Sequence, residues 1–528
     1  MPHERIDPTI VDVAWRREQA TRAALVVDAA DYFEAAREAM LKARRRIMLV
    51  GWDFDARIEL SDRRLPGEPR TLGDFIVWLV EKKPALEVHL LRWNIGALRT
   101  LFRGPTLLTV LRWMVHPRIH TRLDAASPPG ASHHHKIVVV DDCLAFCGGI
   151  DMTSNRWDTP AHLDDDPRRR APNGGAPYGA WHDTIMAVEG PAAAAIGELA
   201  RTRWHEAGGE ALEPVRCNND CWPASLAAPF RDVSVAISRS RPGNGTATGT
   251  GTGAGEAAAI REVEATLLEA IDEAHRSIYA ESQYFASRRI AEAMADRLSE
   301  PDPPEIVLVN PKSAHGWLEP IAMDTARARL VQYVRRADHA DRFRLYHPVT
   351  AGGQPIYVHA KVLIVDDRIL HSGSANMNNR SLRLDTECDL TIDAGRPGNG
   401  HAAAAIAALR DGLVAEHLGV AAASVRAAVE REGSLIGAIE ALRGEGRSLR
   451  PLELAPLSDV EKWLADNELL DPEGPEEMFK PLSERRGLLR RLRRLRGRLH
   501  LPHRRPRALR RSLRSSLQRA RPPVAPAD

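Results

Sequence analysis

Long apolar runs are missing from this 528-residue chain: no stretch of 18 consecutive apolar residues occurs, so no membrane-spanning helix is expected. The first residues, MPHERIDPTIVDVAWRREQ, carry charge throughout and lack an apolar centre, so no secretory signal is expected there. Cysteine is scarce. Five in this length do not make a disulfide framework, and a reducing cytoplasm is the simplest compartment. Cys217 and Cys221 form a C-x3-C pair with no second pair or suitably spaced histidines, so plain thiols are expected rather than zinc ligands.

One sign of charge is absent from one region. Between Arg485 and Arg521 stand 16 arginines and no acidic residue; setting them aside takes the net charge from +2 to −14. An acidic body with a strongly basic tail points to an anionic partner for the tail. Leu488, Leu492, Leu495 and Leu499 recur at helical spacing among the arginines, and Leu509, Leu513 and Leu517 repeat the pattern beyond Pro502 and Pro506. Basic amphipathic helices of this kind lie in a membrane interface, so an anionic bilayer is the expected partner and a cytoplasmic enzyme peripheral to the membrane the expected state. No aromatics interleave with the arginines to stack on bases, so nucleic acid is not expected.

What is present is a repeat. HHHKIVVVDDCLAFCGGID, from His133, matches VHAKVLIVDDRILHSGSAN, from Val358. His134 pairs with His359, Lys136 with Lys361, Asp141 with Asp366, Gly148 with Gly373 and Asp151 with Asn376, each step 225 residues. Upstream, ARRRIMLVGWDF from Ala43 matches AHRSIYAESQYF from Ala274. Each follows a helix-like segment, YFEAAREAMLKA or EVEATLLEAIDEA, and precedes a strand-like one, EVHLLRW at Glu87 or EIVLVNP at Glu305. Two α/β units in the same order follow. The boundaries are 1–225 for the first half and 226–420 for the second, which opens with VSVAISRS near Val233 and a Gly/Thr-rich loop. Residues 421–480 read as a helical extension with proline breaks, and 481–528 as an arginine-rich amphipathic or disordered tail.

Side chains two apart on a strand share a face, so His134 points with Lys136 and His359 with Lys361. Facing halves then assemble two imidazoles, two ammoniums and the short polar groups Asp151 and Asn376, with Asp141 and Asp366 completing the motif. The glycines at 148–149 and at 373 allow close backbone approach to a ligand. One histidine attacks phosphorus and forms a phosphohistidine; the other protonates the leaving oxygen and later deprotonates water. The lysines hold non-bridging phosphate oxygens, so neither metal nor cofactor is called for. Each histidine needs a carboxylate on its second nitrogen. Asp183, 49 residues after His134, and Glu387, 28 after His359, are the candidates for their respective partners. His133 and His135 flank this face and are not expected to act; the triple histidine by itself reads as a possible metal tract.

These residues resemble the phospholipase D superfamily, defined by two HxKxxxxD motifs, over roughly residues 20–420. GGIDMTSNRWDTPAH from Gly148, WHDTIMAVEGP from Trp181, AESQYF from Ala280 and NRSLRLDTECDL from Asn379 are similar to the true phospholipases D within it. The resemblance implies two pseudo-symmetric α/β/α-sandwich halves with the site between them and a helical C-terminal extension. It also implies a metal-free ping-pong hydrolysis or transphosphatidylation of glycerophospholipids, with His134 as nucleophile and His359 as acid. Asn155 stands where many relatives have glycine before RWD. No stretch resembles a C2, PX or PH module, so targeting by them is not implied. A cardiolipin-synthase-like phosphatidyltransferase would use the same site; such relatives usually carry N-terminal spanning helices. Small superfamily nucleases typically carry one motif per chain and dimerise, whereas this chain has both, which favours a monomer and disfavours the nuclease. A non-catalytic lipid binder would need a degraded motif, and neither copy is degraded.

Overall fold

The computed structural model describes residues 13–93, 112–124, 131–243, 258–314 and 323–454. Among these, sixteen strands join one sheet. The first half contributes β1 (Arg16–Val27), β2 (Arg46–Gly51), β3 (Glu87–Trp93), β4 (Ile119–Asp124), β5 (Ile137–Val140), β6 (Leu144–Gly148) and β8 (Thr184–Glu189); the two-residue β7 (Trp181–His182) lies outside the sheet. The second contributes β9 (Phe230–Arg241), β10 (Ile260–Arg261), β11 (Ser277–Ser282), β12 (Glu305–Val309), β13 (Phe343–Val349), β15 (Lys361–Val365), β16 (Ile369–Gly373) and β17 (Glu387–Asp393), with the two-residue β14 (Tyr357–Val358) again apart. Outward from the centre the order is β1, β8, β6, β5, β2, β3, β4 on one side and β9, β17, β16, β15, β11, β12, β13 on the other. The halves are therefore the same strand order mirrored about the antiparallel β1–β9 pair.

The alternation read from the motif explains the layers. Val138 and Val140 pack into the core under the helices Ala29–Lys42 and Leu72–Lys82. Ile137 and Val139 face the opposite way, into a core shared by both halves and covered by the helices Pro191–Glu206 and Ala403–Leu418. In the second half Leu363 and Val365 pack under the helices Glu262–Asp272 and Arg288–Leu298, while Val362 and Ile364 join the shared core. Period-two strands buried on both faces give near-continuous apolar runs, and the result is two α/β/α sandwiches fused through their inner layer.

Two expectations change in this frame. The region 421–480 is not helical throughout: after the helices Ala422–Glu432 and Leu435–Leu442, the segment Ser448–Pro451 forms a further strand, β18, which adds antiparallel to the β13 edge. That edge offers unpaired backbone groups, and an added strand satisfies them. Cysteine scarcity also misled. Cys143, in the β5–β6 turn, is disulfide-bonded to Cys217 across 74 residues, which excludes Cys217 as a thiol or zinc ligand; Cys147, Cys221 and Cys388 are free and buried. Two cysteines suffice when the fold brings their Cα atoms to 4.9 Å, a proximity that no spacing rule conveys. Among the described residues no single helix is long and apolar enough to cross a membrane. Residues 455–480 of the expected helical extension, the arginine tail and most of the Gly/Thr-rich loop lie outside the described residues.

Candidate active site

The segments that carry the two histidines cross between halves before entering their strands. His133 bridges Thr386 in parallel, and the His134 N–H donates to the Thr386 carbonyl at 3.1 Å. In the mirrored position β14 pairs in parallel with β7, and the His359 N–H donates to the His182 carbonyl at 2.7 Å. Each histidine is thus hydrogen-bonded to the backbone just before the other half's last inner strand, β17 or β8.

That crossing decides the carboxylate partners, and it overturns the pairing expected from chain order. His134 Nδ1 lies 2.9 and 3.0 Å from the two oxygens of Glu387, not beside Asp183. His359 Nδ1 lies 2.7 Å from Asp183 Oδ2, not beside Glu387. Both residues do stand behind imidazoles, each behind the ring of the opposite half. A carboxylate on Nδ1 sets the ring's orientation and turns Nε2 toward the reactants.

Both lysines are buried and curl back onto their own motif. Lys136 Nζ donates to the His134 carbonyl at 2.9 Å and sits 3.5 Å from Asp151. Lys361 Nζ donates to the His359 carbonyl and lies 3.2 Å from that ring's Nδ1. Their fields overlap. Burial, then Lys136 and Lys361, hold His134 well below the usual imidazole range. Burial, then Lys361, does the same to His359 against the pull of Asp183. Burial, with Lys136 and Arg156 adding repulsion, brings Lys361 down to about 7 despite the opposing pull of Asp183 and Glu387. Burial opposes charge on Asp183 too, yet His359 and Lys361 hold it down to about 2. Glu387 is pushed up by burial, with Asp389 and Asp385 adding to it. The site is a buried concentration of positive charge, suited to a phosphodiester anion.

Asp151 and Asn376 are brought in as expected. Asp151 accepts from the Trp52 N–H at 3.0 Å while facing Lys136, and Asn376 is buried with Oδ1 lacking a hydrogen-bond partner among the described residues. Asp141 and Asp366 are not brought in. They stand roughly 20 Å further along the chain from the imidazoles, at about 3.3 Å per residue. Asp141 accepts from the N–H groups of Arg44, Arg45 and Arg46 at 2.6–2.8 Å; Asp366 accepts from those of His275, Arg276 and Ser277 at 2.7–2.9 Å. Each also begins a two-residue turn with positive φ at both positions, 53° and 53° at Asp141–Asp142 and 54° and 57° at Asp366–Asp367, as a tight hairpin of right-handed strands requires. These aspartates tie hairpin to strand entry and take no part in the chemistry.

The glycines are corrected likewise. A Cβ on Gly149 would stand 2.2 Å from Asp183 Oδ1, and one on Gly373 2.0 Å from Asp389 Oδ1. They clear space for the neighbouring strand's aspartate, not for a ligand. Asn155 has φ of 62°, a left-handed conformation that asparagine tolerates nearly as readily as the glycine of relatives. His133 and His135 are buried away from the reacting face. His133 Nδ1 is held by Asp124 at 2.8 Å and by Arg203, and the two rings pack edge to face at 4.9 Å.

Three residues join the site without a signal in the repeat. Trp181 stacks on Tyr357 at 4.6 Å and lies 5.3 Å from the His359 ring, and the Arg156 guanidinium sits 4.3 Å over Trp181. Arg156 supplies a third cation that depresses both His359 and Lys361. Only its neighbourhood in RWD hinted at it; no counterpart exists at the 225-residue offset.

Comparison with known proteins places this geometry. The family model described as phospholipase D matches residues 39–297, and that described as cardiolipin synthase, PLD-like domain, matches residues 267–404. Phospholipase D1 of Schizosaccharomyces pombe is 23% identical over 502 residues, covering 75% of this chain and 35% of that protein. Phospholipase D alpha 1 of Nicotiana tabacum is 24% identical over 516 residues, covering 72% and 63%. The chain thus spans between about a third and two thirds of the length of such relatives. Phosphatidylserine synthase from Haemophilus influenzae Rd KW20 is a similar solved structure, with a TM-score of 0.49, 15% identity and coverage of 75% of this chain and 87% of that one. The two family models run without a gap from within the helix Ala29–Lys42 to the start of the helix Ala403–Leu418, through both histidines and both of their carboxylates, and the chain belongs to the phospholipase D superfamily.

Proposed function

We propose that the chain is a phospholipase D-type phosphodiesterase acting on glycerophospholipids. The observation that carries the reading is the crossed pairing: two imidazoles, each oriented by the opposite half's carboxylate, each with a buried lysine of its own motif beside it. His134 attacks phosphorus through Nε2, the P–O bond to the head group breaks, and His359 gives its Nε2 proton to the departing oxygen. Lys136 and Lys361, with Arg156, bind the non-bridging oxygens and gain strength as charge builds on them. In the second half-reaction His359 takes a proton from water or an alcohol, whose oxygen displaces His134. The assignment of attacker and acid follows the family likeness. Mass spectrometry of products from mixed phospholipids, with and without added alcohols, tests the reading: phosphatidic acid, replaced by phosphatidyl alcohols when alcohol is present, is expected, and intact lipids alongside cleaved DNA would overturn it.

A second reading, a phosphatidyltransferase that uses phosphatidylglycerol as acceptor, is favoured by the cardiolipin-synthase description of the model matching residues 267–404. The same assay with glycerol and phosphatidylglycerol as acceptors separates the two. The substrate's location adds a third element to the proposal: the arginine tail holds the enzyme, as a monomer, at the periphery of an anionic bilayer.

A further inference from the structure

On the inner face of the first half, β3 and β4 bring together three side chains that the reaction does not use. Glu87 and His89 stand two apart on β3 and so share a face. The parallel pairing sets His120 of β4 directly beside His89. One ligand atom from each of the three lies within 4.8 Å of the other two. The two rings stack at 4.6 Å, and Trp204 of the helix Pro191–Glu206 packs edge-on against His89 at 4.9 Å. Glu87 and His120 are half-buried at the rim of this cluster.

His89 is 1% exposed, and neither of its ring nitrogens has a hydrogen-bond partner among the described residues. Burying an imidazole with both nitrogens unmet is costly, so the position calls for a ligand. Burial, with His120 and Arg46 adding to it, brings the ring down to about 3, which leaves it neutral with a free lone pair. The Arg46 guanidinium is itself tied to the Glu213 carbonyl at 2.6 Å. The fold does not require these histidines. In the mirrored strands β12 and β13, Val307 stands in the place of His89 and Arg344 in that of His120, and Val307 simply joins the shared core. Glu305, in the place of Glu87, is occupied by the N–H groups of Leu435 and Ile436 at 2.7 and 3.1 Å. Glu87 instead faces the two imidazoles.

We infer that Glu87, His89 and His120 form a binding site for a divalent first-row transition ion of the zinc type. Two imidazoles and one carboxylate are the donors such ions take, and three protein ligands leave the remaining position to water at the rim. Donors around a tetrahedral zinc stand about 3.3–3.6 Å apart, so these three need to close by up to about 1.3 Å. Glu87 and His120, at the rim, can rotate to do so while His89 stays fixed against Trp204. The ion ties β3 to β4, an edge strand paired on one side only among the described residues. That strand ends at Asp124, which holds His133 Nδ1 at 2.8 Å beside the reacting His134. The ion therefore steadies a support of the site and takes no part in the phosphoryl chemistry.

The test uses the full chain, equilibrated with zinc over a chelator-buffered series of free concentrations, with bound metal measured by mass spectrometry and unfolding by calorimetry. The variants are Glu87→Gln and His120→Gln, because both side chains lie at the rim and their replacement leaves His89 packed against Trp204. Each variant should bind about one zinc fewer per chain than the wild type. Zinc taken up elsewhere in the chain cancels in that difference. Zinc should also raise the unfolding temperature of the wild type by more than that of either variant, since binding to the folded state alone stabilises it. Equal zinc content in the wild type and both variants, whether some or none, would overturn the site and leave His89 as a buried ring stacked between His120 and Trp204.

Discussion

At the scale of single residues, the crossed pairing changes what a carboxylate substitution does. Glu387→Gln should slow formation of the covalent intermediate on His134, since it is His134 that loses its orienting acceptor. Single-turnover trapping of the phosphoenzyme measures this, and a normal burst with slowed turnover would return Glu387 to His359. His134→Ala and His359→Ala should each lose most activity, about 10²–10⁴-fold for the general acid and more for the nucleophile. Label trapped on His359 and never on His134 would exchange their roles. Lys361 carries a pH signature. Its folded-state pKa of about 7 lies below the ordinary lysine value of 10.5, so the ammonium discharges as pH rises through about 7 and phosphate binding weakens. Between those two values the folded state binds fewer protons than the unfolded one, so this group makes stability rise with pH across that window. In Lys361→Arg the guanidinium stays charged, and the alkaline fall of kcat/KM attributable to this group should disappear. Superimposable pH profiles would remove the ammonium from phosphate binding.

At the scale of elements, Asp141 distinguishes a structural motif residue from a reacting one. Its carboxylate satisfies three backbone N–H groups at the start of β2 and its own backbone makes the β5–β6 turn. Asp141→Ala strands those donors and places alanine at positive φ, so a loss of about 2–4 kcal/mol in urea unfolding is expected. Activity per folded molecule should stay near wild type at low temperature. A thousand-fold fall in kcat with unchanged unfolding would restore the aspartate to the reacting set. The same turn carries Cys143, and its bond to Cys217 predicts that denatured, unreduced protein titrates as three thiols and reduced protein as five. Five thiols before reduction would instead favour the reducing cytoplasm expected from the cysteine count.

At the scale of the whole molecule, the charge division of the chain makes a prediction about where it works. A body of net −14 is repelled by an anionic bilayer, and the 16 arginines between Arg485 and Arg521 must overcome that repulsion. Each basic residue near such a surface contributes about 1 kcal/mol, screened within a Debye length. Sedimentation with anionic and neutral liposomes should show the full chain bound to anionic vesicles and released by salt, while a chain ending at Leu482 stays in solution. Equal binding by both, insensitive to salt and lipid charge, would rule out the tether.

The sequence alone determined the duplication, the order of helices and strands along each half and the candidate histidines and lysines. Those are local properties: a 225-residue offset held by side chains of distinct chemistry, and apolar periods that only a strand buried on both faces produces. Trp181, Tyr357 and Arg156 escaped notice because they occur in one half only, and a repeat is blind to what breaks it. Which carboxylate serves which ring was decided by tertiary structure, because the crossing of His134 onto Thr386 and of His359 onto His182 joins segments 252 and 177 residues apart.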